Sequence, residues 1–307
     1  MRPALLLLAI SLTQAQNFPP DLPKLPLSLS HIKVIAPKPG WALGMISSVA
    51  ADGKGTIYLL QRGTDAQPVV AINETGKVLR EWGKGLYVIP HSIRIAPDGN
   101  IWTVDAASSR ILKFTPQGKQ LLDFTVGEQP KTSSQFNGTA DIAFAPDGHL
   151  FIADGYGNAR ILEYDANGKR LHQFGKPGTG PGELNLPHGI AIHPDGTLFV
   201  ADRENGRIQH FTRDGNYLGE INGMGKTFSL TIRNNALWIG TQPRNEPNGA
   251  PGWLVKLDPA NGKILGLINS PGHHSIDVTA KGDVYTGVRP DQLLHFSPNP
   301  TKARSRP

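Results

Sequence analysis

Three histidines of this 307-residue chain stand in similar sequence contexts, which indicates a shared task. His91 lies in IPHSI, His188 in LPHGI and His274 in GHHSI, and an alternating apolar segment follows each of them. Three imidazoles that meet at one point form the ligand set of a catalytic zinc ion with an open coordination position. The ordinary alternative for each single histidine is a strand-end residue that is hydrogen-bonded at a channel mouth.

The histidines belong to an internal repeat. The Asp-Gly turns at Asp98, Asp147 and Asp195 lie 49 and 48 residues apart, a period that is typical of propeller repeats. Each unit has a few short alternating strands between tight turns that contain glycine, and almost no segment has a helical pattern. The six units span residues 46–83, 89–124, 136–175, 184–222, 227–268 and 272–297.

Six such units predict an all-β fold, a six-bladed β-propeller over residues 31–298. The sixth unit has only three clear strands, so we expect the segment around His31–Ile35 to add the fourth strand and to close the ring. A β-sandwich is the alternative, but a sandwich does not explain the fixed period.

Alignment of the units on their first strand places the three histidines in alternate units. The aligned residues are Ser47, His91, Ala140, His188, Phe228 and His274. First strands line the central channel of a propeller, and alternate blades are related by roughly 120°, so the imidazoles are expected to converge on the axis. His274 is preferred over its neighbour because its spacing to the following strand matches the other units. The seven other histidines, among them His193, His210 and His273, are predicted to be surface or turn residues.

A second aligned column lies at the end of the second strand. Its residues are Arg62, Ala106, Gly155, Arg203, Gln242 and Arg289. Arg62 and Arg203 are expected on the same face as the histidines, where a planar guanidinium can bind a carboxylate through two hydrogen bonds. The alternative is a solvated pair with a neighbouring acid, and the role of Arg289 is left open.

Tyr156 follows this column by one residue, in DGYGNAR, on a loop between two glycines. That position favours presentation to a cleft, although most tyrosines serve as amphipathic packing residues. Beside a metal ion and an arginine, the pKa of the phenol could fall far enough for acid or base work.

Three acid and arginine pairs, by contrast, recur at nearly constant spacing in successive units. They are Asp105 with Arg110, Asp154 with Arg160, and Asp202 with Arg207. Recurrence of this kind favours structural ion pairs between strands, whereas residues found in few units are better candidates for chemistry.

Composition limits the partners of the protein. The net charge is +6 and the pI is about 9.5, but the charges are scattered, so nucleic acid is disfavoured and a small anionic substrate is favoured. Because the chain has no cysteine, a transition-metal site must use histidines and carboxylates. No segment approaches the roughly 20 apolar residues of a membrane-spanning helix, and we expect a monomer.

Both ends of the chain are expected to lie outside the propeller. Residues 1–15 combine Arg2, an apolar run and a small-residue cleavage site, which is the pattern of a signal peptide. Residues 16–30 predict an extended lead-in rich in Pro, Leu and Ser, and residues 299–307 a disordered tail. The mature protein is therefore expected to be exported, either periplasmic or secreted.

The motifs IPHSI, DGYGNARI and LPHGI, the last followed by VADRENGRIQ, resemble the catalytic core of peptidyl-α-hydroxyglycine α-amidating lyase. This is an NHL-repeat family with a six-bladed propeller, and the resemblance extends from about residue 44 to residue 297. It implies cleavage of a peptidyl-α-hydroxyglycine to a peptide amide and glyoxylate. The site residues that it implies are the zinc ligands His91, His188 and His274, the catalytic base Tyr156, and the arginines Arg62 and Arg203.

The same resemblance implies a structural calcium ion in the channel. Its ligands would be the backbone carbonyls of Val49 and Ile93 and a carboxylate directly after the third histidine. Ser275 stands in place of that carboxylate here, which removes the charged ligand that a hard cation prefers. Calcium binding would then need Asp277 or water as a substitute ligand.

Two other functions are compatible with an exported propeller. One is a metal-dependent lactonase or another hydrolase of small molecules, but such sites rest on carboxylates and the alignment shows no carboxylate column suited to a metal site. The other is a non-catalytic propeller that binds a protein or a glycan, which predicts no stoichiometric zinc.

Overall fold

The computed structural model describes residues 18–19, 21–130, 134–288 and 292–298. The predicted signal peptide, the predicted tail and Arg289 lie outside the described residues. The described chain contains strands and turns without any helix, so no described helix is long and apolar enough to cross a membrane.

The strands follow the tight turns and alternating apolar runs of the sequence. In the first half of the chain they are β1 Leu27–Ile32, β2 Ile46–Ala51, β3 Thr56–Gln61, β4 Val69–Asn73, β5 Val78–Trp82, β6 Pro90–Ile95, β7 Ile101–Asp105, β8 Arg110–Phe114, β9 Gln120–Thr125, β10 Asp141–Phe144, β11 Leu150–Asp154, β12 Arg160–Tyr164 and β13 Arg170–Phe174. In the second half they are β14 Lys176–Pro177, β15 Glu183–Leu184, β16 Pro187–Ile192, β17 Leu198–Asp202, β18 Arg207–Phe211, β19 Tyr217–Asn222, β20 Lys226–Arg233, β21 Ala236–Gln242, β22 Gly252–Leu257, β23 Ile264–Ser270, β24 Ile276–Val278, β25 Val284–Val288 and β26 Gln292–Pro298.

Six four-stranded antiparallel sheets form the blades of a β-propeller. Strands β2–β5, β6–β9, β10–β13, β16–β19 and β20–β23 form blades one to five, and β24–β26 together with β1 form blade six. The first strands β2, β6, β10, β16, β20 and β24 each contact the first strands of both neighbouring blades, so they enclose a central channel. The predicted six-bladed architecture is confirmed. A short parallel pair, β14 and β15, connects blades three and four.

Blade six takes its outer strand from the N-terminal part of the chain. Strand β1 pairs antiparallel with β26, from Leu27 opposite Pro298 to Ile32 opposite Leu293. The strand therefore begins at Leu27, before the segment around His31 that the sequence indicates and inside the stretch predicted as a lead-in. The consecutive polar residues Ser30 and His31 interrupt the alternation of this region, so periodicity did not join Leu27 to the strand that begins near His31.

The core lies between neighbouring blades. One cluster, for example, joins Tyr58 and Leu60 of blade one to Ile93, Ile101 and Phe114 of blade two. Five further clusters of this kind occupy the other blade interfaces among the described residues. Full burial of one such side chain stabilises the fold by about 1.5–3 kcal/mol, so the apolar wedges hold the ring while the channel wall stays free for polar residues.

Two of the three recurring ion pairs form as predicted. Arg160 contacts Asp154 at 2.8 Å, and Arg207 contacts Asp202 at 2.7 Å. The pairing of Asp105 with Arg110 is wrong. The Asp105 carboxylate instead accepts backbone N–H bonds from the loop before β6 and from the loop after β7. Arg110 pairs with Asp123 of the outer strand β9.

Candidate active site

β-Bulges place the aligned residues of the first strands. In blades one, two, four and five, the pairing between the first and second strands shifts by one residue at the aligned position. A bulge leaves the extra residue unpaired and re-aims its side chain. The structure thereby brings His91 and His188 together with His274 of blade six, and all three pairs of ring centroids are 5.0 Å apart. One ring nitrogen of each histidine lies within 4.8 Å of those of the other two.

Each of these histidines is oriented by a backbone carbonyl of the next blade. The distances from Nδ1 to the carbonyl oxygen are 2.7 Å for His91 and Ala140, 2.6 Å for His188 and Phe228, and 3.0 Å for His274 and Ser47. The accepting residues are the aligned residues of blades three, five and one. The six aligned residues therefore form three pairs, each of one histidine and the carbonyl of the next blade. A carbonyl only accepts, so each Nδ1 carries the proton and each Nε2 presents a lone pair.

Burial keeps the three imidazoles neutral. It holds the pKa of His91 and of His188 well below the usual range and lowers the pKa of His274 to about 3. The positive charge of Arg203 acts in the same direction on all three rings, and that of Arg62 on two of them. At neutral pH the cluster therefore offers three unprotonated nitrogens.

Tyr156 reaches the same cluster from the loop after β11. Its hydroxyl oxygen lies 2.9 Å from the Nε2 atom of His91 and 2.9 Å from that of His188. Burial raises the pKa of the phenol, although Arg203 and Arg62 lower it. The two arginines alone therefore do not produce the expected fall in this pKa, and the phenol is protonated at neutral pH in these surroundings.

Arg62 connects blade one to the strand that carries His91. Its Nε atom donates to the carbonyl oxygen of Pro90, the residue before His91, at 2.8 Å. Its guanidinium carbon lies 5.4 Å from the ring centroid of Phe136, and that ring is 4.9 Å from the ring of Tyr156. Arg62 and Phe136 thus form one wall of the site.

Arg203 forms another wall of the site. Its guanidinium carbon lies 5.0 Å from the ring centroid of Phe228 and 5.9 Å from that of Tyr156. Its Nε atom donates to Glu204 at 2.9 Å, yet the Arg203 side chain is only 7% exposed. Arg203 therefore does pair with a neighbouring acid, as the alternative interpretation of this column expects. The buried position of the arginine shows that the pair is not an ordinary solvated one.

The donor set of the cluster is suited to a cation. The single proton of Tyr156 can satisfy only one of the two Nε2 lone pairs that lie 2.9 Å from its oxygen. At least one Nε2 lone pair therefore faces a lone pair of the Tyr156 oxygen at 2.9 Å. A bound cation would relieve this repulsion. Among the described residues, the clustered ligand atoms are all imidazole nitrogens, which match the requirements of a transition metal rather than of a hard cation.

Known proteins resemble this chain over much of its length. The NHL repeat family matches residues 184–211. The chain is 29% identical over 306 residues to peptidyl-glycine α-amidating monooxygenase A of Xenopus laevis, which covers 86% of this chain and 33% of that protein. It is 28% identical over 249 residues to a probable peptidyl-α-hydroxyglycine α-amidating lyase of Caenorhabditis elegans, which covers 74% of this chain and 69% of that protein. Peptidyl-α-hydroxyglycine α-amidating lyase 1 of Drosophila melanogaster is 35% identical over 149 residues, 45% of this chain and 28% of that protein.

Relatives named as peptidyl-α-hydroxyglycine α-amidating lyases, together with the NHL repeat, support the family that the sequence motifs suggest. The chain spans about a third of the length of the amidating monooxygenase that it matches. Among solved structures, streptogramin B lyase has a TM-score of 0.61 and 14% identity, with coverage of 89% of this chain and 98% of that one. At that identity the likeness shows the propeller fold alone.

The prediction for one histidine of this chain was wrong. His273, predicted as a surface or turn residue, is 3% exposed, and its Nε2 atom lies 3.1 Å from the amide oxygen of Gln242. Burial lowers its pKa to about 4. Because His274 joins the cluster and His273 does not, the register chosen for the sixth unit agrees with the structure.

Several residues of the site had no chemical signal in the sequence. Phe136 and Phe228 lie against the two arginines, and backbone carbonyls orient the histidines. Two glycines permit close packing: a Cβ on Gly155 would lie 2.0 Å from the carbonyl oxygen of Pro187, and one on Gly189 would lie 2.9 Å from that of Phe228. The presence of glycine in aligned columns that hold larger residues elsewhere was the only sign of these contacts.

The predicted calcium ligands Val49 and Ile93 stand two residues after the aligned residues of their strands, in a buried layer of the channel wall. The backbone N–H of Val49 donates to the hydroxyl of Ser275 at 3.2 Å, and that of Ile93 donates to the hydroxyl of Ser48 at 3.0 Å. These two hydroxyls are 2.8 Å apart. The layer is therefore closed by hydrogen bonds between blades one, two and six.

Proposed function

We infer that the chain is a zinc-dependent lyase that cleaves a peptidyl-α-hydroxyglycine, or a related N-acyl-α-hydroxyglycine, to an amide and glyoxylate. The observation that carries this inference is the position of the Tyr156 hydroxyl, 2.9 Å from ring nitrogens of both His91 and His188 and between two arginines. Relatives named as amidating lyases support the reaction class.

The residues His91, His188 and His274 would hold the zinc ion through their Nε2 atoms. Three neutral nitrogen ligands match the open coordination of a catalytic zinc site. Bound there, zinc would supply positive charge that polarises the substrate hydroxyl and lowers the pKa of groups beside it. The carbonyls of Ala140, Phe228 and Ser47 fix the tautomers and ring orientations that such binding needs.

Tyr156 would serve as the base for the substrate hydroxyl. As its phenolate takes that proton, the electron pair left on the substrate oxygen forms the carbonyl, the bond from carbon to the amide nitrogen breaks with its electrons going to nitrogen, and the nitrogen takes the proton back from Tyr156. The products are an amide and glyoxylate, and neither water nor an oxidant is consumed. The positive charges of Arg62 and Arg203 favour the phenolate form of Tyr156.

The same two arginines would orient the substrate. An α-hydroxyglycine ends in a carboxylate, and a guanidinium fork binds that group through two hydrogen bonds. Phe136 and Phe228 hold the guanidinium groups against aromatic faces, which limits the orientations in which each can meet the carboxylate. A basic protein that is exported, as the N-terminal sequence indicates, would meet such an anionic substrate outside the cytoplasm.

Glyoxylate release tests this function. Purified protein is incubated with N-benzoyl-α-hydroxyglycine, and glyoxylate is measured before chelation, after chelation, and after zinc is restored. We expect release that is lost with the chelator and recovered with zinc. N-benzoylglycine, which lacks the hydroxyl, is the matched control and should release none.

A non-catalytic propeller would give a different pattern. It would release no glyoxylate after zinc is supplied and would bind no stoichiometric zinc, although the fold would be intact. A hydrolase or lactonase would act on an ester or lactone and leave the hydroxyglycine derivative unchanged.

A further inference from the structure

The residues that directly follow the aligned column form the next layer of the channel wall. They are Ser48, Ser92, Asp141, Gly189, Ser229 and Ser275. Asp141 of blade three supplies the one carboxylate of this layer. Divalent hard cations take several oxygen ligands with charge among them, so this layer offers such an ion little negative charge.

Arg94 of blade two binds that carboxylate. Its Nε and Nη2 atoms donate to the two oxygens of Asp141 at 2.9 and 2.5 Å, a bidentate pair. Its Nη1 atom donates to the carbonyl of Ile276 and its Nη2 atom to that of Leu230, both at 3.3 Å. The side chains of Arg94 and Asp141 are 13% and 5% exposed. One guanidinium thus connects blades two, three, five and six across the channel.

The carbonyls that Arg94 binds occupy a defined level of the channel. Leu230 and Ile276 each stand two residues after the aligned column residue of their blade, as Val49 and Ile93 do in blades one and two. The guanidinium therefore lies at the level for which the family resemblance implies a calcium ion.

We propose that Arg94 is a built-in channel cation that takes the structural place of calcium, so that the chain folds and keeps its site without that metal. The guanidinium does what a central ion would do: it neutralises a buried carboxylate and ties carbonyl groups of separate blades to one positive charge. This role is independent of the proposed lyase activity.

The two carboxylates nearest to this level already accept hydrogen bonds. Besides Arg94, Asp141 accepts hydrogen bonds from the hydroxyl of Ser92 at 2.5 Å and from the backbone N–H of Ile190 at 3.3 Å. Asp277 is the expected substitute ligand. Its two carboxylate oxygens accept hydrogen bonds from the backbone N–H of Ala51 at 2.7 Å and from that of Val278 at 2.9 Å. Both carboxylates therefore have hydrogen-bond donors from within the chain.

Space in the channel leads to the same conclusion. The cavity bounded by the three histidines, Arg94 and Ser275 has a volume of about 10 Å³, which is room for about one water molecule. On its other side, Arg94 lines a cavity of about 590 Å³ that contains Asp277. The guanidinium therefore separates the histidine cluster from the opposite end of the channel.

The calcium dependence of melting tests the proposal. The purified full chain is melted with and without about 1 mM calcium chloride, a concentration at which weak extracellular sites fill. The wild-type melting temperature should change by less than about 1 °C, because a ligand stabilises only the state that binds it. Arg94→Met should melt lower by on the order of 10 °C, since Asp141 loses its partner. Calcium should restore part of that loss, because the carboxylate and two carbonyls become available.

Two further variants separate this role from general damage. Arg233→Met removes another channel guanidinium, one that donates to the carbonyl of Val278 at 2.7 Å, and should give no calcium response. Asp141→Asn in the Arg94→Met background should abolish the response by removing the charge.

Three results would overturn the proposal. They are stoichiometric calcium in the wild-type chain by elemental analysis, an Arg94→Met variant that melts like the wild type, and an Arg94→Met variant that calcium does not stabilise. The first measurement uses the wild-type chain alone, so it decides the question even if Arg94→Met fails to fold.

Discussion

The Nδ1 atom of His188 lies 2.6 Å from the carbonyl oxygen of Phe228 in the next blade. The contact fixes the proton on Nδ1 and directs the Nε2 lone pair of His188 towards the axis. Two equivalent contacts repeat around the ring, from blade two to blade three and from blade six to blade one. The alternation of histidines in the sequence therefore reflects a division of labour, in which one blade supplies the imidazole and its neighbour supplies the carbonyl.

The variant Gly189→Ala should weaken zinc binding. A Cβ at this position would lie 2.9 Å from the Phe228 carbonyl oxygen, so the carbonyl that orients His188 must move. Loss of such an orienting contact costs about 10–100-fold in metal affinity, which competition with a chromophoric chelator can measure. Gly127→Ala is the control, because a Cβ there meets nothing within 4 Å. Equal zinc affinities for both variants would show that the carbonyl contact does not matter.

The variant Tyr156→Phe should lose turnover and keep its zinc. Removal of the hydroxyl takes away the proposed base while His91, His188 and His274 remain, so kcat should fall by about 10²–10⁴-fold. Elemental analysis should find the same zinc content as in the wild type. Tyr217→Phe, on the outer surface of blade four, is the matched control and should be fully active. An active Tyr156→Phe variant would remove the base assignment.

The variant Arg203→Lys should bind substrate poorly. A lysine keeps the charge but loses the planar fork that meets a carboxylate and the stacking on Phe228. KM should rise by about 10–100-fold, with a smaller change in kcat. Arg170→Lys, on an outer strand, should leave both constants unchanged. A fall in kcat at unchanged KM would instead place Arg203 in the chemical step alone.

The free energy of unfolding should fall as the pH is lowered, and His273 should account for part of that fall. Burial lowers the folded-state pKa of His273 to about 4, below the usual 6.5, so the unfolded chain binds the proton more readily. The stability that this residue provides above pH 6.5 is therefore lost as the pH falls towards 4. Between pH 7 and pH 5 the wild type should lose about 2 kcal/mol more than His273→Gln, measured by urea unfolding. Equal losses in the two proteins would contradict the buried, neutral assignment.

The blades were predictable because they repeat. Turns at Asp98, Asp147 and Asp195 and the alternating runs between them determine strands locally, and the same alignment selected the three histidines that the structure brings together. The start of the strand that completes blade six was not predictable, since the consecutive polar residues Ser30 and His31 interrupt the alternation between Leu27 and Ile35.

Other parts of the site depend on contacts between distant blades. The carbonyls that orient the histidines carry no side-chain signal, so no residue type marks them. Likewise, the partners of Arg94 lie in blades three, five and six, and nothing local to Arg94 indicates them. The burial of His273 also depends on Gln242, which lies in blade five.

The products formed from N-benzoyl-α-hydroxyglycine test the central claim most directly. Proton magnetic resonance of the reaction mixture distinguishes cleavage on either side of the amide nitrogen. The zinc-loaded chain should yield benzamide and glyoxylate in equal amounts and no benzoate, because the bond from the hydroxylated carbon to nitrogen breaks. Benzoate as the product, or an unchanged substrate with fully zinc-loaded protein, would contradict the account.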